Sequence, residues 1–137
     1  MRFAESDEDV LRCAAALIAL RPHLTADDIV ARVREQRAQG YLLVFSEEDG
    51  RVVSAAGFRQ IDCLAWGRIV YIDDLTTLPD ARGRGHAGAL LDGVLEWARA
   101  DGCVAVHLDS GFARHDAHRL YLNHGFLLYT HHFARAL

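Results

Sequence analysis

Residues 80–91 read DARGRGHAGALL, and the whole fold turns on how this stretch is understood. Gly83, Gly85 and Gly88 spell G-x-G-x-x-G, and an apolar pattern of helical period begins directly behind them. A strand, a glycine turn and a helix in that order form a cradle for phosphate. The turn points several backbone N–H groups inward, and the helix N-terminus adds a partial positive charge. Glycine lets the backbone come close to the anion where a side chain would block it.

Outward from this loop the chain reads clearly in both directions. Upstream, GRIVYIDDLTTL is an extended segment that ends by Pro79. Before it, YLLVF and RVVSAAGFR are strand-like and are joined by SEEDG, a hairpin loop ending in Asp-Gly. A looser connection over residues 60–67 leads to the third strand, giving an antiparallel meander. The first forty residues hold a short strand and two helices. Ser6 with Asp9, and Thr25 with Asp28, have the spacing of capping boxes. Val10, Leu11, Ala14, Leu17 and Ile18 then recur on one helical face, as do Ile29, Val30 and Val33, with Gly40 as a stop.

Downstream, Ala87, Leu90, Leu91, Val94, Leu95 and Ala98 mark the buried face of a helix that Asp101-Gly102 stops. CVAVHLD follows as a buried strand, and ARHDAHRLYLNH as a helix ended by Gly125. FLLYTHHFARAL reads as a closing strand or pair of strands. The expected fold class is therefore α+β: a mixed, mostly antiparallel central sheet flanked by helices, in one domain over residues 1–137.

Composition narrows the function. The 137 residues are 51% hydrophobic and 25% charged, as in an ordinary soluble globular domain. A net charge of −4 argues against a nucleic-acid binder, which would carry a basic face. No apolar run is long enough to span a membrane, and the N-terminus lacks the pattern of a signal peptide. Three cysteines without a C-x-x-C suggest neither a disulfide framework nor a cysteine zinc site. These points lead to a cytoplasmic protein with neither nucleic acid nor membrane as partner.

Two cofactors compete for the glycine loop. A dinucleotide fold wants the first glycine at the strand end and an acid about twenty residues on, a place Asp109 could fill. Against it stand the spacer between Pro79 and Gly83, and too little chain after Asp109 for a complete nucleotide fold. The other reading begins at Arg82: Arg82, Gly85 and Ala87 form R-x-x-G-x-A. Further on, Ala117, Leu120, Tyr121, Gly125 and Phe126 match A-x-x-L-Y-x-x-x-G-F. Both motifs, in this order with one strand between them, resemble the GCN5-related N-acetyltransferases, and the resemblance extends over essentially the whole chain.

That resemblance implies an acetyl-CoA-dependent N-acetyltransferase acting on a small-molecule or peptide amine by direct attack in a ternary complex, without a metal. Arg82, Gly83, Arg84, Gly85, His86, Ala87 and Gly88 would bind the coenzyme A pyrophosphate. Leu75, Thr76 and Thr77 would line the pantetheine arm with backbone groups, as one strand lines another. A backbone N–H there would stabilise the carbonyl oxygen. Arg114 stands where many relatives have an Asn that contacts pantetheine. Homodimers are common among such relatives.

Amine acetylation needs an acceptor freed of its proton and a proton for the leaving thiolate. Asp73 is the first candidate for base or amine anchor and Asp74 the second. On a regular strand the two point to opposite faces, so they share a site only where a bulge intervenes. Tyr121, which falls on the tyrosine of the second motif, is by that resemblance the candidate acid for the thiolate. The alternative function on the same fold is a non-catalytic acyl-CoA-binding sensor, for which Tyr121 and the acidic pair would be dispensable. His115 and His118, and the adjacent His131 and His132, are too few and too divergent for a metal site.

Overall fold

Ser6 and Thr25 open the first two helices in the same way. Each hydroxyl accepts from the backbone N–H three residues on, and Asp9 and Asp28 reach back to the cap residues' own N–H groups. These capping boxes start α1 at Asp7–Leu20 and α2 at Ala26–Arg37, behind a two-residue strand β1 at Arg2–Phe3. The structure, a computed structural model, describes all residues 1–137.

The meander follows as β2 (Tyr41–Glu48), β3 (Arg51–Cys63) and β4 (Gly67–Thr77). The first hairpin turns on Asp49 and Gly50 alone, both with positive φ, at 51° and 77°. The expected five-residue loop is thus shorter, because two left-handed residues match the twist of the flanking strands. The loose connection expected over residues 60–67 is also a tight hairpin: Cys63 pairs with Gly67, and Gly67 takes φ 74°. After a short 3-10 turn at Pro79–Ala81 come α3 (His86–Ala100), β5 (Ala105–Leu108) and α4 (His115–Asn123).

The sheet order is β1-β2-β3-β4-β5. Neighbours up to β4 are antiparallel, and α3 carries the chain across to β5, which makes the sheet mixed. On one face α1 and α2 bury Val10, Cys13, Leu17, Ile29 and Val33 against Tyr41, Leu43, Phe45, Val53 and Ala55. On the other, α3 buries Leu90, Leu91 and Val94, and Trp97 meets Phe58 edge-on at 5.2 Å. Alternation along β2 and β3 divides their side chains between these two layers.

Two compact units make up the chain, residues Met1–His107 and Leu108–Leu137. The second holds α4 and the C-terminal segment. Residues 126–137 carry no regular structure, which corrects the expected closing strand or strands. An apolar and aromatic run such as FLLY suits a strand, but a strand forms only where a ladder receives its N–H and C=O groups, and the second unit supplies none. Leu127, Leu128, Tyr129 and Phe133 are accordingly exposed.

Candidate active site

β4 is not a regular strand. Its register against β3 pairs Gly57 with Asp74 and Phe58 with Ile72, so Asp73 is an extra residue in a β-bulge. Strict alternation would send Asp73 and Asp74 to opposite faces. The bulge instead brings both toward α1 and α2. Asp74 Oδ2 accepts from the Tyr41 hydroxyl at 3.0 Å, and Asp73 Oδ2 accepts from Arg59 Nε at 3.0 Å. The Arg59 guanidinium lies 5.7 Å from the centre of the Tyr41 ring, which places all four groups on one face.

Arg21, the residue after α1, completes the cluster. Its Nε donates to Asp74 Oδ1 at 3.0 Å, and its Nη2 donates to the Asp73 carbonyl at 3.1 Å. Each carboxylate is therefore matched by an arginine, and the site has no net negative charge from this pair. Burial pushes the Asp73 carboxyl above the usual carboxylate range, with Arg59 pulling against that shift. Burial, and next to it the charge of Asp74, holds the Tyr41 phenol well above its ordinary value.

Beyond the bulge, Leu75 and Thr76 are buried, and Thr76 Oγ1 donates to Ala16 O of α1 at 3.1 Å. Ser54, fully buried, donates to Thr76 O at 2.6 Å and pairs with Thr77 Oγ1 at 2.9 Å. This end of β4 is thus fixed on its β3 side. β5 starts level with Arg68, where Val104 N–H donates to Arg68 O at 2.8 Å, and is four residues long against eleven in β4. β5 therefore does not flank Leu75, Thr76 or Thr77.

The glycine loop follows at once. Gly83 has φ 75°, and Gly85, the N-cap of α3, has φ 84°. Both are left-handed positions that favour glycine. The first helical bond of α3 runs from Ala89 N–H to Gly85 O at 2.9 Å, so the N–H groups of His86, Ala87 and Gly88 have no helical acceptor. α1 and α2 close their N-termini with capping boxes and first-turn acids. α3 has neither a side-chain cap nor an acid in its first turn. It is the one of these three helix ends whose dipole is left for an outside anion.

The basic side chains of the loop brace it from outside. Arg82 Nε donates to Thr77 O at 3.3 Å. Arg84 bonds Glu48 Oε1 and Asp80 O, both at 2.8 Å, and Arg51 grips Asp80 through two bonds of 2.8 and 3.0 Å. His86 Nδ1 stands 3.5 Å from Ser46 Oγ, while its buried Nε2 has no hydrogen-bond partner.

Tyr121 and Arg114 lie in the second unit. Tyr121 is 9% exposed, with its ring 5.9 Å from Phe126, and burial raises its phenol above the ordinary value while Arg114 opposes the rise. Arg114 is the N-cap residue of α4. Sequence reasoning passed over Tyr41, Arg21 and Arg59. Gly57, inside an otherwise apolar strand, was the available signal, because such a glycine often marks a bulge or a close approach.

The family model described as Acetyltransferase (GNAT) family matches residues 9–126. The chain is 29% identical over 122 residues to the uncharacterized N-acetyltransferase YhdJ of Bacillus subtilis (strain 168), covering 88% of this chain and 86% of that one. The structure resembles an aminoglycoside N-acetyltransferase, AAC(6')-Iy in complex with CoA, with a TM-score of 0.85 at 20% identity over 98% of this chain and 92% of that one. It also resembles a Trypanosoma brucei acetyltransferase, with a TM-score of 0.80 at 23% identity over 99% and 97% of the two chains.

Proposed function

The chain belongs to the acetyltransferase (GNAT) family, and on that premise we propose that it moves an acetyl group from acetyl-CoA to a primary amine of a small molecule or peptide, in a ternary complex. The open N-terminus of α3 supports this reading most. It presents three N–H groups without helical acceptors, behind two left-handed glycines and with no acid in the first turn. Such an end suits the pyrophosphate of coenzyme A.

Residue roles follow from chemistry and position. The backbone from Arg84 to Gly88 binds the pyrophosphate, while Arg82 and Arg84 hold the loop in shape. Leu75, Thr76 and Thr77 offer strand groups to the pantetheine amides, and one N–H among them takes up the negative charge that grows on the carbonyl oxygen. Acetyl-CoA, when bound, supplies the activated acyl group. Asp73 accepts the proton of the incoming ammonium, directly or through water, so that the amine nitrogen can bond to the carbonyl carbon as the carbon–sulfur bond breaks. Tyr121 gives its proton to the departing sulfur, and Arg114 serves the pantetheine side. Because Arg21 and Arg59 balance the two carboxylates, the acceptor is selected by shape and hydrogen bonding rather than by multiple positive charges.

The test is thiol release from acetyl-CoA across a panel of amines, with coenzyme A binding measured in parallel. Amine-dependent thiol release is the expected result. Tight coenzyme A binding with no release on any amine would instead identify a non-catalytic acyl-CoA-binding protein.

A further inference from the structure

Tyr41 takes no part in the proton transfers above, yet it is 2% exposed and its hydroxyl donates to Asp74 Oδ2 at 3.0 Å. Its path to that acceptor crosses Gly57. A Cβ on Gly57 would stand 1.7 Å from the Tyr41 hydroxyl oxygen and 2.2 Å from the ring carbon bearing it. Only a residue without a side chain leaves room for the phenol. Gly57 is also the residue facing Asp74 at the bulge.

Arg21 grips the same point from the end of α1. It takes the other oxygen of Asp74 and also the carbonyl of Asp73, the bulged residue itself. Both Asp74 oxygens are thus engaged by fixed partners, whereas Asp73 is held through Oδ2 by Arg59. Asp74 is built as a clamp and Asp73 as the group it presents.

We propose that Tyr41 is a positioning residue for acetyl transfer: across the gap left by Gly57 it secures Asp74, which locks the β4 bulge and keeps the Asp73 carboxylate on the face of α1 and α2. This role rests on the acetyl-transfer reading above, because Asp73 is the group being positioned. A phenol that served the fold alone would affect the enzyme equally with or without Asp73.

Tyr41→Phe in the full chain keeps the ring and deletes the hydroxyl. Gly57→Ala displaces the phenol while deleting no hydrogen-bonding group, and either variant carries the test if the other fails to bind coenzyme A. With the best amine of the panel, Tyr41→Phe is expected to lower kcat about tenfold and to leave the KM for acetyl-CoA within about twofold. In an Asp73→Asn background the same change is expected to matter less than about twofold, since it acts through Asp73. Equal losses in both backgrounds, or an unchanged kcat, overturn the role. If the wild type acetylates no amine, that reading fails by itself, and the 13C resonance of the Asp73 carboxyl still reports the clamp. Its titration midpoint then moves by about half a pH unit or more in both variants; an unmoved midpoint overturns the role.

Discussion

Asp73 and Asp74 are neighbours in sequence whose carboxylates lie on the same face of the sheet, because β4 bulges at Asp73 opposite Gly57. Their hydrogen bonds separate their duties: Asp74 is held by Tyr41 and Arg21, and Asp73 by Arg59. Asp73→Asn is therefore expected to lower kcat/KM for the amine by about 100-fold or more, the range of general-base loss. Asp74→Asn, which acts through Asp73, should lose less. Steady-state kinetics on both variants, with coenzyme A affinity as the control, checks the order; a greater loss in Asp74→Asn would reverse the assignment.

The pH dependence follows from the same pair. A base works only when ionised, and burial places the Asp73 carboxyl above the usual carboxylate range against the pull of Arg59. With Asp73 as the proposed base, activity is expected above that raised pKa and should be lost as pH falls through it. Arg59→Gln removes the neighbour that favours the ionised form. The acid limb of kcat/KM should then move to higher pH. A limb that stays in place or moves lower would separate Asp73 from the proton transfer.

Tyr121 must be protonated to act as an acid. Burial raises its phenol, so its proton is retained beyond the pH at which a free phenol, with a pKa of about 10, would lose it. Tyr121→Phe should lower kcat about 100-fold, within the range for a lost general acid. An unchanged kcat would assign the ring to packing beside Phe126 alone.

Gly85 tests the phosphate loop. At φ 84°, with nothing within 4 Å of the place a Cβ would take, the barrier to a side chain is backbone strain rather than space. Gly85→Ala should destabilise the fold by about 1–2 kcal/mol through that strain. It should also weaken coenzyme A binding by disturbing the first N–H groups of α3. Denaturant unfolding and calorimetric titration measure the two effects; a coenzyme A affinity equal to wild type would place the cofactor elsewhere.

Much of this was legible in the sequence because it is local. Ser6 with Asp9 and Thr25 with Asp28 are three-residue relations, and both helices start where those pairs put them. The glycine loop likewise carries its left-handed positions in its own letters. The bulge was not legible, since it depends on how Gly57 in one strand faces Asp74 in another. Tyr41 and Asp74, 33 residues apart, meet only once that register is set. The C-terminal FLLYTHHF is rich in the aromatic and apolar residues that strands favour, but composition supplies no partner, and these residues remain without a ladder.

The central claim is acetyl transfer to an amine, and product mass tests it most directly. Wild-type protein is incubated with acetyl-CoA carrying a 13C-labelled acetyl group and the amine panel, and the amines are then analysed by mass spectrometry. Labelled acetyl on at least one amine, formed about 100-fold or more slowly in Asp73→Asn, is the predicted result. Coenzyme A bound at the loop with every amine unlabelled would contradict it.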